Sequence, residues 1–280
     1  MKKPNYMVIG AQKGGTTAFQ YHFNLHPDIY MKDGEPHFFD KHISYKKGIK
    51  YYEGNFTTNK KYIGEKTPSY IYLRHAIDRI YKNYPNIKLI IVLREPVSRA
   101  YSQYNMSITT KPQKFKNFIQ SIKDIENVKL CNIKDNGYWA LQRGFYVDQI
   151  EYILSKFPKE NVYISIFEEN KNNSLDEYNK IFQFIGAKPL QKLDINDSIR
   201  KGKYDKPISK KDFLYLYNIY KPYNERLYNL LGRRIDSWEQ IYGNLLDSGL
   251  LQNPTTCVTD IQTSDEVQES NIQLASPAPS

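Results

Sequence analysis

A group of residues near the amino terminus has the order and spacing to hold a phosphate. Tyr6 to Ile9 is a short apolar run of the kind that forms a buried strand. It leads into Gly10-Ala11-Gln12-Lys13-Gly14-Gly15-Thr16-Thr17, after which Ala18, Phe19, Tyr21, His22 and Leu25 set up a helical pattern that Pro27 stops. Strand, glycine loop and helix, in that order, aim backbone N–H groups and a helix N-terminus at one point, where an anion is stabilised. Three further residues could act on what is held there. Glu35, in Glu35-Pro36-His37-Phe38-Phe39-Asp40, is kept out of helix by the proline after it. A carboxylate placed in this way suits proton abstraction from a hydroxyl or amine. Lys66, before Thr67-Pro68, ends the short strand that starts at Tyr62. Arg94 follows Lys88–Leu93, a near-continuous apolar run typical of a central parallel strand. Ligands of open α/β sheets bind at such strand ends.

Gly10 and Gly15 are spaced as in a P-loop, but Thr16 stands where that loop's lysine opens the helix, and the lysine sits earlier, at Lys13. No acidic site for Mg²⁺ is evident beside it, which favours a nucleotide whose transferred group is handled without a metal. The loop alone leaves an ordinary NTP-binding or dinucleotide-binding fold open.

Gly10 to Thr17 resembles the 5′-phosphosulfate loop of the sulfotransferases that use PAPS (3′-phosphoadenosine 5′-phosphosulfate). Leu25-His26-Pro27, followed by Glu35 to Asp40, resembles the carbohydrate branch of that family, the heparan-sulfate sulfotransferase type. Leu93-Arg94-Glu95-Pro96-Val97-Ser98-Arg99-Ala100-Tyr101-Ser102 resembles its 3′-phosphate motif. The likeness runs from about Tyr6 to Gly243. It implies that Lys13, with the N–H groups of Gly14, Gly15, Thr16 and Thr17, faces the 5′ end of PAPS, and that Arg94 and Ser102 grip its 3′-phosphate. It also implies that Glu35 is the general base, that His37 and Asp40 support it on the acceptor side, and that Lys66 lies close to the sulfuryl group. Lys201-Gly202-Lys203 resembles the family's Lys-Gly-Arg loop over the nucleotide, with Lys203 where arginine is usual and without the adjoining disulfide. Trp139 and Arg143 stand where relatives flank the acceptor cleft. The implied reaction is sulfuryl transfer from PAPS to a hydroxyl or amine, with a carbohydrate or other hydroxylated molecule as acceptor.

The elements that must position these residues form an α/β pattern: a single P-loop-like domain with a central, mostly parallel sheet flanked by helices. Helices are expected over His75–Tyr84, from Pro96 onward, within Gln113–Val128, over Tyr146–Phe157 and over Leu175–Ile185, then as a final pair, Ser209–Tyr220 and Pro222–Leu231. In the helix from Pro96, Val97, Ala100, Tyr101, Tyr104 and Ile108 form the apolar stripe and Ser98 and Ser102 lie off it. Val162–Glu168 reads as another strand, and Tyr45–Asn59 shows no clear period. Composition divides the chain into a domain over residues 1–244 and an acidic tail, expected to be disordered, over 245–280.

The chain carries 40 Lys and Arg against 30 Asp and Glu, +10 overall. Five of the acids and none of the bases lie beyond residue 244, so the body is the more basic part and attracts polyanions. A kinase or NTPase and a non-catalytic polyanion binder are therefore the rival readings, although neither accounts for Glu35 to Asp40. Cys131 and Cys257 are too few and too far apart for a disulfide framework or a zinc site. With no apolar leader before the first strand and no run of 18 apolar residues, a cytoplasmic protein without a membrane span is expected. No metal site and no nucleic-acid partner are expected.

Overall fold

Strands buried on both faces need apolar residues at both parities, and the central strands have them. A computed structural model describes residues 2–110, 117–120, 140–172, 174–194 and 207–246. Its strands are β1 (Tyr6–Gly10), β2 (Ile29–Met31), β3 (Tyr62–Lys66), β4 (Lys88–Leu93) and β5 (Val162–Ile166). They form one sheet in the order β2-β3-β1-β4-β5, and every neighbouring pair is parallel. The expected α/β architecture is the observed one. Along β1 and β4 the side chains alternate between two cores: Met7, Ile9, Leu89, Ile91 and Leu93 enter one, and Tyr6, Val8, Ile90 and Val92 the other. In register, Val8 lies beside Lys66 of β3 on one side and Ile90 of β4 on the other.

The helices that cover the sheet are α1 (Thr16–Asn24), α2 (His42–Tyr45), α3 (Ile49–Glu53), α4 (Arg74–Asn83), α5 (Pro96–Thr110), α6 (Tyr146–Leu154), α7 (Phe167–Asn172), α8 (Ser174–Phe184), α9 (Lys210–Leu231) and α10 (Asp236–Leu246). No helix among the described residues is long and apolar enough to cross a membrane.

Three local expectations change, and one strand carries no periodic signal. Ile29–Met31, too short to show a period, is the edge strand β2. The stretch Tyr45–Asn59 contains the short helix α3, and α2 ends at its first residue. β5 ends at Ile166, and Phe167 and Glu168 open α7 instead of extending the strand. The final pair of helices is one helix, α9, with Pro222 inside it. Its buried residues Phe213, Leu216, Tyr220, Asn224, Leu227 and Tyr228 keep one face through the proline, so packing overrides the lost backbone hydrogen bond. Trp139, Cys131, Cys257, Lys201, Gly202, Lys203 and the tail from residue 247 lie outside the described residues, as does most of the helix expected after Gln113.

Candidate active site

The glycine loop between β1 and α1 is tied to the end of the neighbouring strand β4. Ala11 N–H donates to the Val92 carbonyl at 2.9 Å, and Gly14 N–H donates to the Ala11 carbonyl at 2.9 Å. A Cβ on Gly14 would lie 2.4 Å from the Val92 oxygen, closer than any side chain can come. Gly15 has φ +88° and packs against the Phe167 ring, which a Cβ would approach to 2.5 Å. It occupies the N-cap of α1 with no side-chain cap, so the helix starts with amides that no side chain has claimed. Lys13, at φ +70°, has its ammonium 3.6 Å from Met106 Sδ on α5. The loop is thus a backbone cradle with a cation beside it, the form that fits a nucleotide phosphate.

Arg94 reaches this cradle from β4. Its Nη1 donates to the Lys13 carbonyl at 3.3 Å, and its guanidinium stacks over the Phe167 ring at 5.2 Å. The Tyr146 hydroxyl holds the Arg94 carbonyl at 2.7 Å. Glu95, fully buried, caps α5 by accepting from Val97 N–H at 2.9 Å and Ser98 N–H at 2.6 Å. Ser102 is on the buried side of α5, 3% exposed, together with Arg99 and Gln103; the apolar stripe had placed it off that side. Polar groups from other elements turn this face inward. Arg99 donates to the Ala140 carbonyl and, at 2.7 Å, to Gln103 Oε1, while Gln103 Nε2 donates to Gln12 Oε1 at 3.3 Å. This relay joins the glycine loop to Ala140, just ahead of the turn Gln142–Gly144. An apolar-periodicity reading could not find it.

The Glu35 loop lies at the end of β3. Lys66, 3% exposed, donates to Glu35 Oε1 at 3.1 Å. His37 Nε2 lies 3.5 Å from Glu35 Oε2, and His37 Nδ1 lies 2.6 Å from Asp40 Oδ2, which also accepts from Ser69 Oγ at 2.7 Å. Burial pushes the Glu35 carboxyl up, but the hydrogen bond from His37 and the Lys66 ammonium outweigh it and hold the group below its ordinary value. The hydrogen bonds to Asp40 and then Glu35 lift His37 from 6.5 to about 9. At neutral pH the cluster is therefore a carboxylate held between Lys66 and an imidazolium, and both partners keep it ionised. Beneath it the Tyr70 hydroxyl accepts from Phe38 N–H at 3.0 Å and Phe39 N–H at 3.3 Å, which fixes the turn. Glu65, fully buried, accepts from the Tyr52 hydroxyl at 3.0 Å and Thr67 Oγ1 at 2.6 Å, and burial pushes it up to about 7.

Arg143 lies over the Tyr72 ring at 5.1 Å, and the Tyr72 hydroxyl donates to Gln142 Oε1 at 2.6 Å. Asp40 and Glu35 are both close enough for their charges to act on Arg143. The carboxyl ends of three adjacent strands thus carry Lys66, Lys13 and Arg94, with Glu35 facing Lys66 and His37 beside Glu35. The fold brings these residues together. Ser69, Tyr70, Gln12, Gln103 and Arg99 support them, and the sequence assigns no such role to any of the five. Among the described residues no group of His, Cys, Asp and Glu could hold a metal ion.

Comparison with known proteins agrees with this geometry. The chain is 29% identical to mouse (Mus musculus) heparan sulfate glucosamine 3-O-sulfotransferase 3B1 over 258 residues, 82% of this chain and 64% of that protein. It is 26% identical to human (Homo sapiens) heparan sulfate glucosamine 3-O-sulfotransferase 5 over 255 residues, 83% of this chain and 73% of that one. It thus spans less than two thirds of the mouse relative. The crystal structure of a sulfotransferase from Alicyclobacillus acidocaldarius superposes with a TM-score of 0.72 at 22% identity, over 85% of this chain and 100% of the other, and shares its fold. The sulfotransferase-domain family profile matches residues 3–212, three quarters of the sequence, and the chain belongs to that family.

Proposed function

We propose that the protein transfers a sulfuryl group from PAPS to a hydroxyl of a carbohydrate acceptor, with Glu35 as general base. The observation that carries this is the meeting of Arg94 Nη1 with the Lys13 carbonyl at 3.3 Å, across 81 positions of sequence, at strand ends next to the one that holds Lys66 against Glu35. Amides of Gly14 to Thr17 and the Lys13 ammonium suit the 5′-phosphosulfate, where they stabilise charge developing on the leaving phosphate. Arg94 supplies a planar fork for the 3′-phosphate, with Ser102 on the adjoining helix. Glu35 takes the acceptor proton; His37 and Lys66 keep it ionised, which leaves its lone pairs unprotonated at neutral pH while lowering its basicity. The heparan sulfate acceptors named for the two mammalian relatives support a carbohydrate, as does the exposed rim around Glu35 and His37.

The test is incubation with labelled PAPS and a panel of glycans, with and without EDTA, followed by mass spectrometry of the products. Label on a sugar oxygen at equal yield in both arms is the expected result. A need for ATP and Mg²⁺, or label on no glycan in the panel, would remove the reading.

A further inference from the structure

Trp238 and Tyr242 lie on α10, beyond residue 212 where the family profile ends, yet both reach the turn that carries Arg94. Trp238 Nε1–H donates to Glu168 Oε2 at 2.9 Å, and the other oxygen of that carboxylate accepts from Glu95 N–H at 3.0 Å. The Tyr242 hydroxyl accepts from Asn224 Nδ2 at 3.1 Å, so its own proton goes to Glu95 Oε1, 3.2 Å away. Trp238 and Glu95 are fully buried and Tyr242 is 4% exposed. Glu95 follows Arg94 in the chain, and Glu168 follows Phe167, the ring over which the guanidinium stacks. A fully buried carboxylate, Glu95, and a partly buried one, Glu168, therefore neighbour the arginine and its stacking ring, and each is held by a donor from α10.

We infer that α10 is the positioning element for Arg94: Trp238 and Tyr242 keep Glu168 and Glu95 occupied, so that the guanidinium stays available to a ligand's 3′-phosphate. The inference rests on the reading of Arg94 as a 3′-phosphate contact. Its physical basis is competition. A carboxylate shielded from water that loses a donor must find another, and Arg94 is a cation whose charge already favours ionised Glu168. With Trp238 or Tyr242 truncated, the arginine turns toward the acid and away from the nucleotide. The glycine cradle is untouched, so binding of the 5′ end persists.

The experiment is calorimetric titration of the full chain with adenosine 3′,5′-bisphosphate and with adenosine 5′-monophosphate, for the wild type, Trp238→Phe and Tyr242→Phe. The bisphosphate affinity of each variant is expected to fall about tenfold, the order of one lost hydrogen bond to a charged group, with monophosphate affinity changed less than about twofold. A general loss of packing would lower both affinities together, and that result, or an unchanged preference in folded variants, overturns the inference. Should Trp238→Phe fail to fold, Tyr242→Phe, which removes a single oxygen, decides. A wild type with no preference for the bisphosphate withdraws the 3′-phosphate reading itself, a result distinct from a preference that survives in the variants.

Discussion

His37 is expected to be an imidazolium at neutral pH, and the stability of the protein reports whether it is. Its hydrogen bonds to Asp40 and Glu35 lift it from 6.5 to about 9. A group whose value is raised by folding contributes stability that is complete below its unfolded value and is lost as pH rises through its folded value. For His37 that window runs from 6.5 to about 9. The interval corresponds to about 3 kcal/mol, and because the side chain is 30% exposed, screening reduces the expected contribution to about 1–2 kcal/mol. The comparison is urea unfolding near pH 6 and near pH 9.5 for the wild type and for His37→Gln, whose amide keeps a donor toward Asp40. Between the two conditions the wild type is expected to lose about 1–2 kcal/mol more than the variant. Parallel pH dependence in the two proteins, or an imidazole resonance assigned to His37 that titrates near 6.5, would refute the reasoning.

Glu35→Gln keeps an oxygen for Lys66 but cannot take a proton, so turnover should drop by about 10²–10⁴-fold while the Kd for adenosine bisphosphate stays within about twofold; an equal fall in both would remove Glu35 from the base role. Gly14→Ala puts a methyl 2.4 Å from the Val92 carbonyl and must displace the loop or the strand end. Bisphosphate affinity measured by calorimetry should fall at least about tenfold, the scale on which a displaced contact acts, and an unchanged value would show that the loop is not the cradle. Glu65→Gln tests the buried carboxyl, which burial raises from 4.5 to about 7. Its charged form destabilises the fold progressively as pH rises through that interval, so the variant should gain about 1–3 kcal/mol on the wild type between about pH 5 and pH 8 in urea unfolding. A constant difference across that range would count against it.

The sequence made the central strands and the glycine loop legible, because both are written in short contiguous runs. Tyr6–Ile9 and Lys88–Leu93 are apolar at both parities, Gly14 and Gly15 stand where only hydrogen fits, and Arg94 directly follows its strand. Apolar periodicity misplaced Ser102 and overlooked Arg99 because it assumes that the buried side of a helix is apolar. On α5 that side is partly polar, satisfied by Gln12 and Ala140 from elsewhere. Pro222 was read as a break because the local cost of proline is visible in sequence and the packing that overrides it is not. The partnership of Trp238 with Glu168 spans 70 positions and leaves no spacing signal at all.

Because β3, β1 and β4 are immediate neighbours, the separation between the groups at their ends is measured in whole strand widths of about 4.8 Å. A substitution can swap the functional group at such a position, yet none can stretch the interval between two positions without unpairing the sheet. The span available to a donor is therefore inherited with the backbone. Glu35, His37 and Arg143, by contrast, hang from loops and turns, which can lengthen or bend freely. On the proposed function, descendants of this chain can thus change the acceptor far more readily than the donor.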